Sequence, residues 1–353
     1  MSVAVDHAFL RTYTFEQGDR ESLSALTSRA RSNPYANFNA FSEEVEGLSC
    51  ELPRPVAELF DGLAGRTYKG CVLLRGLPIP EDLPLTPLQP FAKTGLQMLG
   101  TEALLIFIGA RIAQPFSYRE WDAGHMVHNK YPIESHKQVQ FGSNAVEFLI
   151  HTETPFREIS PDYVCLLCLR GDPQKRAQTR LCDLASASKD LAPDEISLLH
   201  QPCYSFITDN PAIVARGLTL TPPMPILKNR DGKLVYEYVH DLVAINDDAQ
   251  TALDKLKKSV EVRSIGICLE AGDLLIIDNS HVVHGRTAYH PRYDGTDRWL
   301  QRLLLSARLF GTTEKPLDRF VSDRRLEHYP SEYLKVLRGL GPAEAVNISS
   351  TTG

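Results

Sequence analysis

The chain has 353 residues, of which 43% are hydrophobic and 23% charged, so it can bury a sizeable core. Its net charge of -6 and pI near 6.0 exclude a general electrostatic attraction to nucleic acid or to an anionic membrane. The N-terminal residues lack the pattern of a secretory signal, and the most apolar stretch, ALLIFIGARIA (103–113), is too short to span a bilayer. We therefore expect a soluble, cytoplasmic protein that binds neither nucleic acid nor membrane, and the sequence leaves its oligomeric state open.

The first part of the chain is helical in character. Apolar residues recur at three- and four-residue spacing in ESLSALTSRARS (21–32) and in LPRPVAELFDGLAG (52–65). A strand is predicted over GCVLLRGL (70–77), and the proline-rich passage that continues to residue 90 predicts a loop.

From about residue 145 onward the chain consists mainly of short apolar runs separated by turn signals. These runs are VEFLIHTE, DYVCLLCLR, LVYEYVH, VRSIGICLE, DLLIIDN and RWLQRLLLSARLF. One helix interrupts them near 246–260, with Asn246 as the expected N-cap. The pattern predicts a mainly β fold with flanking helices, built as a sandwich or barrel such as a jelly roll.

We expect one domain over 1–353. It would comprise an N-terminal helical part (about 1–69), a core (about 70–312) and a C-terminal segment with a tail (about 313–353).

Two of the seven cysteines, Cys165 and Cys168, form a CxxC within the run DYVCLLCLR. Such a pair can serve in redox chemistry or bind zinc. However, residues three apart on a strand point to opposite faces, so we expect two ordinary buried thiols.

A histidine and a carboxylate lie two residues apart in LIHTETPF (149–156). His151 and Glu153 follow a strand-like run, so alternation places both side chains on one face. With a distant histidine they would complete the two-histidine, one-carboxylate triad that binds iron(II) and leaves positions open for other ligands. Taken alone, the H-x-E motif is also compatible with a surface ion pair.

The second half of the site is expected in the stretch from Leu275 to Leu305. Its run DLLIIDN predicts a strand, and we expect His284 at the end of that strand. Further on, alternation along RWLQRLLL puts Arg298 and Arg302 on one face beside leucines. Buried guanidinium groups require anionic partners, and their planar donors suit carboxylates. The pattern therefore favours two carboxylate-bearing ligands beside a metal.

These residues carry a family resemblance. Two stretches, LIHTETPFREISPDYVCLLCLRGDP and DLLIIDNSHVVHGRTAYHPRYDGTDRWLQR, follow one another in an order and at a spacing that are highly specific. The chain resembles the clavaminate-synthase-like branch of the Fe(II)/2-oxoglutarate-dependent oxygenases, and within it the hydroxylases of free amino acids such as arginine, lysine and asparagine. This resemblance implies a double-stranded β-helix (jelly-roll) core, and iron(II), 2-oxoglutarate and O2 as cofactor and co-substrates.

The resemblance also implies the ligands of the metal. His151, Glu153 and His284 match the iron ligands of the family. His281 competes for the role of the distal histidine, but the HGR context favours His284, and His290 is expected in a loop.

The same resemblance assigns five further residues. Arg298 matches the residue that pairs with the far carboxylate of 2-oxoglutarate, and Thr179 matches a threonine that helps to hold it. Arg302 matches the residue that takes the α-carboxylate of the substrate, Glu120 the one that holds the α-amine, and Asp241 an acid that reads the tip of the side chain. Ordinary structural roles remain open: an exposed strand threonine, a structural salt bridge for Arg302, and a loop acid or helix cap for Asp241.

The implied reaction is hydroxylation of an unactivated carbon of a free L-α-amino acid, with release of succinate and CO2. Arginine hydroxylases carry a pair of acids near Asp241, whereas Val239 and His240 precede it here. This departure slightly favours lysine, with arginine or citrulline next, and the segment Asp231–Asp241 is a candidate lid. The alternatives are an asparagine-type substrate, desaturation or cyclisation, and a cupin-like metal-binding protein that is not an oxygenase.

Overall fold

The short apolar runs of the sequence form strands that pair in two main sheets. A computed structural model describes residues 4–48, 51–90, 97–118, 122–137, 145–155, 159–206, 221, 223–230, 232–307 and 320–321. The strands, in chain order, are β1 (Ala4–His7), β2 (Leu10–Thr14), β3 (Cys71–Arg75), β4 (Gln114–Tyr118), β5 (His128–Lys130), β6 (Phe148–His151), β7 (Tyr163–Arg170), β8 (Gln178–Asp183), β9 (Tyr204–Ser205), β10 (Leu227–Arg230), β11 (Lys233–Tyr236), β12 (Val243–Ala244), β13 (Ile265–Cys268), β14 (Leu274–Asp278), β15 (Val282–Arg286), β16 (Trp299–Ser306) and β17 (Phe320–Val321).

The major sheet runs β1-β2-β3-β14-β7-β16-β4-β17, and β5 pairs with β16 beside this path. Its pairings are antiparallel except for β2 with β3 and β4 with β17. The minor sheet runs β13-β8-β15-β6 and is antiparallel throughout. Two small antiparallel pairs, β10-β11 and β9-β12, lie outside both sheets.

The two sheets pack face to face over a shared apolar core. Leu181, Ile267 and Val282 of the minor sheet lie in the same buried cluster as Leu166 and Leu300 of the major sheet. Side chains alternate along each strand, so every second one points into this interior. A polar residue an even number of positions from one of these leucines therefore also faces inward.

Helices cover the outer faces of both sheets. In chain order they are α1 (Gln17–Thr27), α2 (Phe38–Glu46), α3 (Arg54–Ala64), α4 (Thr101–Gly109), α5 (Leu184–Ala187), α6 (Pro193–Leu199) and α7 (Asp247–Arg263). Helix α4 packs on the major sheet, and α1 and α2 pack on α4 within the same buried cluster, to which α3 also belongs. Helices α5 to α7 bury their apolar faces in the cluster of the minor sheet.

Helix α7 confirms the one helix expected among the strands. The side chain of Asn246 accepts the backbone N–H of Ala249 at 2.9 Å, which satisfies one of the free donors at the helix start. Leu253, Leu256 and Val260 are buried on one face, and each such side chain contributes about 2 kcal/mol by leaving water.

The CxxC pair behaves as the strand period predicts. Cys165 packs in the cluster under helices α1 to α4, and Cys168 packs on the opposite face of β7, between the sheets. Burial raises the pKa of Cys168 to about 12, so its thiol stays protonated and unreactive at neutral pH.

The structure departs from the sequence-based expectation at two points. His284 does not end the strand DLLIIDN, because a turn follows Asp278 and His284 lies inside a separate strand, β15. The N-terminal part is not only helical, since β1 and β2 extend the major sheet there. Among the residues described, no helix has both the length and the apolar content that a membrane span requires.

Candidate active site

Two neighbouring strands of the minor sheet bring two histidines together. His284 on β15 lies directly opposite His151, the last residue of β6. Glu153 follows His151 by two residues, and its carboxylate faces Arg302 of the major sheet. The site therefore lies between the two sheets, at the end of β6.

His151, Glu153 and His284 form the candidate metal centre. One ligand atom from each of the three lies within 4.8 Å of the others, and among the described residues this is the set that could hold a metal ion. The Nε2 atom of His284 is 3.7 Å from Oε2 of Glu153, and the two imidazole rings are 4.5 Å apart. Two imidazoles and one carboxylate are the donor set that suits iron(II) and leaves coordination positions open, so these residues fit the implied metal.

Hydrogen bonding and burial prepare His151 as a ligand. Its Nδ1 lies 2.8 Å from the carbonyl oxygen of Leu149, which can only accept, so Nδ1 carries the proton and Nε2 keeps its lone pair. Burial and then the neighbouring His284 lower the pKa of His151 to about 4. The ring is therefore neutral at physiological pH, as a metal ligand must be.

The carboxyl group of Glu153 is held in its charged form. Burial alone would raise its pKa, but Arg302 and the two histidines outweigh this effect and hold the pKa well below its usual range. Nη1 of Arg302 donates to Oε1 of Glu153 at 3.0 Å. The acid is thus ionised at neutral pH and available to a cation.

Two buried arginine side chains, Arg286 and Arg298, lie near Thr179 of β8. Nη2 of Arg298 lies 3.4 Å from Oγ1 of Thr179, and both side chains are buried. Nε of Arg298 is also buried and has no hydrogen-bond partner among the described residues. Arg286 pairs across the strands with Thr179, and burial and the charge of Arg298 lower its pKa to about 10. Two adjacent buried cations favour an anion between or beside them.

The structure places the competing histidines away from the triad. His281 lies in the turn before β15, where its ring is 6.0 Å from that of Tyr236. His290 is exposed in the passage between β15 and β16.

The two remaining substrate candidates are Glu120 and Asp241, and Asp241 is not part of this cluster. Glu120 lies outside the described residues. Asp241 is exposed in a turn, where its Oδ1 lies 3.5 Å from Nδ1 of His240. The segment before this turn pairs with the strand of the triad, since Val239 bridges to His151. The end of the candidate lid, from Tyr238 to His240, thus lies along β6, whereas Lys233–Tyr236 forms β11 and pairs with β10. Its first residue, Asp231, lies outside the described residues.

The geometry agrees with the comparisons to known proteins. A family model described as "Taurine catabolism dioxygenase TauD, TfdA family" matches residues 68–304. The chain belongs to this dioxygenase family. The match begins just before β3 and ends within β16, so it includes the strands that carry the triad and Arg302. The expectation of a dioxygenase is thereby confirmed.

Relatives within the TauD/TfdA family include enzymes that act on amino acids. The L-lysine 3-hydroxylase of Catenulispora acidiphila is 33% identical over 279 residues, which cover 76% of this chain and 76% of the relative. Clavaminate synthase 2 of Streptomyces clavuligerus is 30% identical over 297 residues, or 81% of this chain and 89% of the relative. The resemblance to the clavaminate-synthase-like branch and its amino-acid hydroxylases is therefore confirmed.

A solved structure of asparagine oxygenase has the same fold. It aligns with a TM-score of 0.74 and 26% identity, and the alignment covers 84% of this chain and 93% of that one. That structure contains Fe(II), (2S,3S)-3-hydroxyasparagine and succinate. Mixed sheets flanked by helices are thus the architecture of this TauD/TfdA member, as they are of its structural neighbour.

Two residues of the site escape sequence-based reasoning. Asn279 hydrogen-bonds the backbone of Glu153, and the only signal was the DN pair in the matched motif. His128 contacts Arg302 through Nδ1 at 2.8 Å. Nothing in the sequence around His128 marks it, because the contact arises from the pairing of β5 with β16.

Proposed function

We propose that this protein is an iron(II)- and 2-oxoglutarate-dependent hydroxylase of a free L-α-amino acid. The observation that carries the proposal is the buried His151, Glu153 and His284 cluster, with one arginine, Arg302, in contact with it and a second, Arg298, on the same interior face. A metal with open positions needs such a ligand set, and two carboxylate-bearing ligands need two such cations.

His151, Glu153 and His284 would hold iron(II). Support comes from the neutral state of His151, the ionised state of Glu153 and the Fe(II) in the structural neighbour. When bound, iron(II) with 2-oxoglutarate and O2 supplies the oxidising power that puts one oxygen atom on an unactivated carbon. The protein's own residues supply position: they bind two small anions so that one C–H bond faces the metal.

Arg298 and Thr179 would bind the far carboxylate of 2-oxoglutarate. Their side chains are buried within 3.4 Å of each other, and a buried guanidinium is costly unless an anion meets it. The neighbouring charge of Arg286 makes this corner of the site still more favourable for a dianion.

Arg302 would hold the α-carboxylate of the amino acid. Its guanidinium lies on the interior face of β16 and contacts Glu153, so a carboxylate held there lies beside the metal. We propose Glu120 for the α-amine and Asp241 for the tip of the side chain. Lysine is slightly favoured as substrate, followed by arginine or citrulline, and the 33% identity to an L-lysine 3-hydroxylase supports this order.

We further propose that the two facing sheets are the halves of a jelly-roll core within one domain spanning 1–353, and that the protein acts in the cytoplasm. The alternatives within the same chemistry are an asparagine-type substrate and desaturation or cyclisation. A cupin-like protein without oxygenase activity would keep the triad but would not need Arg298 and Thr179.

An anaerobic titration tests the proposed cofactors. Adding iron(II) and then 2-oxoglutarate should produce a weak visible charge-transfer band, and Glu153→Ala should lose it. A wild-type protein that gives no band with both additions, or a Glu153→Ala variant that keeps the band, contradicts the proposed metal site.

A further inference from the structure

Arg302 is held from behind by a histidine that the proposed reaction does not use. His128 on β5 is the cross-strand partner of Arg302 on β16. Its Nδ1 lies 2.8 Å from Nη2 and 3.2 Å from Nε of Arg302. One imidazole nitrogen thus contacts both nitrogens on one edge of the guanidinium.

The hydrogen bonds of the second ring nitrogen of His128 determine which nitrogen is the acceptor. Nε2 of His128 lies 3.0 Å from the carbonyl oxygen of His125 and 3.0 Å from Oγ of Ser117. A carbonyl can only accept, so Nε2 carries the proton and Nδ1 presents its lone pair to Arg302. The side chain is 0% exposed, so water does not compete for this lone pair.

The charges around His128 keep it neutral. Burial and the charge of Arg302 lower its pKa, and so does Lys130, whereas Asp122 and Glu153 oppose them, leaving the pKa well below its usual value. Asp122 lies 3.7 Å from Nδ1 but bonds Lys130 at 2.7 Å, so this acid is already paired. A neutral imidazole can accept from a guanidinium, whereas an imidazolium would repel it.

Arg302 is therefore held at two points that fix the plane of its guanidinium. The Nε and Nη2 edge contacts His128, and Nη1 contacts Glu153. A planar guanidinium donates two hydrogen bonds to a carboxylate only when the two planes are aligned. A long arginine side chain held at one point alone would sample several rotamers and lose this alignment. Orientation before binding lowers the entropic cost of binding.

We propose that His128 is a positioning residue for the amino-acid substrate: its neutral Nδ1 orients Arg302 so that the guanidinium meets the α-carboxylate beside the metal. This inference rests on the proposed role of Arg302. It assigns His128 to the amino-acid half of the site and not to the 2-oxoglutarate half, because among the described residues His128 bonds Arg302, Ser117 and His125 but neither Arg298 nor Thr179.

Three substitutions separate positioning from simple packing. His128→Leu removes the acceptor, His128→Asn keeps an acceptor near the place of Nδ1, and His128→Gln places one near Nε2 instead. Ser117→Ala is the matched control, since it changes a buried neighbour of the same ring but leaves the carbonyl of His125 to hold Nε2. Urea unfolding of each variant reports whether it is folded.

The readouts are two dissociation constants, measured anaerobically with iron(II) from the visible band. One is for 2-oxoglutarate, and the other is for whichever free amino acid perturbs the band of the wild-type protein. His128→Leu and His128→Gln should weaken amino-acid binding roughly tenfold or more, because a hydrogen bond to a charged group is lost. Binding of 2-oxoglutarate should change less than about twofold, and His128→Asn and Ser117→Ala should stay near wild type.

The outcomes distinguish this inference from the proposed function. If amino-acid binding by His128→Leu or His128→Gln equals that of wild type, or if both ligands weaken equally, the positioning role is wrong while the hydroxylase can stand. If His128→Leu does not fold, the comparison of His128→Asn with His128→Gln decides, and equal binding by these two contradicts the role. If wild type responds to 2-oxoglutarate but to no free amino acid, the proposed substrate class fails and this inference fails with it.

Discussion

Asn279 binds the main chain of Glu153 through both polar groups of its side chain. Its Oδ1 accepts the N–H of Glu153 at 2.7 Å, and its Nδ2 donates to the carbonyl oxygen of Glu153 at 3.2 Å. The same amide nitrogen donates to the carbonyl oxygen of Pro161 at 2.9 Å. Asn279 lies in the turn between β14 and β15, so it ties one proposed ligand to the start of the strand that carries another, His284.

Replacing Asn279 by Ala should loosen the metal site. Outer residues that orient ligands typically change metal affinity by about 10- to 100-fold, and we expect Asn279→Ala to fall in this range. The unpaired backbone groups should also cost about 1–3 kcal/mol of the free energy of unfolding. Anaerobic titration with iron(II) and urea unfolding measure the two effects.

The matched control for this variant is Asn129→Ala. Asn129 bonds Trp299 and Tyr35 on the outer face of the major sheet, so its loss should destabilise the protein without changing metal affinity. Unchanged metal affinity in Asn279→Ala would show that the turn does not orient Glu153.

We expect Arg298 to lower the free energy of unfolding of the ligand-free protein and to be necessary for binding of 2-oxoglutarate. Its guanidinium is buried and its Nε lacks a partner among the described residues. Arg298→Met should therefore weaken 2-oxoglutarate binding by at least roughly tenfold, while the free energy of unfolding without ligand stays the same or rises. Anaerobic calorimetric titration and urea unfolding check the two halves of this prediction.

Arg170→Met provides the comparison for Arg298→Met. Arg170 donates to the carbonyl oxygens of Pro84 and Gly295, so its removal should destabilise the protein and leave 2-oxoglutarate binding intact. If Arg298→Met loses as much stability as Arg170→Met and still binds 2-oxoglutarate, Arg298 is a structural residue.

Asp241 should matter to a basic substrate more than to the metal or the fold. Its side chain is 50% exposed, so Asp241→Ala should change the free energy of unfolding by less than about 0.5 kcal/mol. We expect weaker binding of lysine or arginine with unchanged iron affinity. Asp254→Ala, which removes another exposed acid, is the control. Equal effects of Asp241→Ala on iron and on amino acid would count against a role in reading the side-chain tip.

Two buried histidines should make the metal-free protein sensitive to acid. The pKa of His151 is lowered to about 4 and that of His128 lies well below its usual value, in both cases chiefly through burial. Below about pH 6.5 these histidines bind protons in the unfolded chain but stay unprotonated in the folded protein. The free energy of unfolding therefore falls as the pH falls. Each such histidine contributes a slope of up to about 1.4 kcal/mol per pH unit.

Urea unfolding with a chelator, at about pH 7.5 and about pH 5.5, measures this slope. His128→Asn cannot titrate there, so its free energy of unfolding should fall between the two pH values by about 1.4 kcal/mol less than that of wild type, which is about half a proton averaged over the range. An equal slope in the two proteins would mean that His128 is protonated in the folded state.

Local patterns predicted much of the fold. Short apolar runs between turn signals predicted β3, β6, β7, β11, β13, β14 and β16. The two-residue period placed Cys165 and Cys168 on opposite faces of β7, as found. Capping chemistry predicted the start of α7 at Asn246. These features depend on neighbours in sequence, so a single chain suffices to predict them.

What escaped prediction depends on contacts between distant segments. A turn separates β14 from β15, so His284 lies in β15 and not at the end of β14. The register of β15 with β6 then places His284 opposite His151. The contacts of Asn279 with Glu153 and of His128 with Arg302 each join residues more than a hundred positions apart. Periodicity along one strand contains no information about which strand lies beside it.

The most direct test of the central claim is a panel of free L-amino acids, each incubated with the protein, iron(II), 2-oxoglutarate and air. Succinate release and product mass are scored together. A hydroxylase should release succinate in step with one amino acid, or a few, that gains a single oxygen atom, and lysine and arginine should be among the best. Succinate release with a product that has lost two hydrogens would indicate desaturation instead. No amino-acid-dependent succinate from any member of the panel would contradict the account.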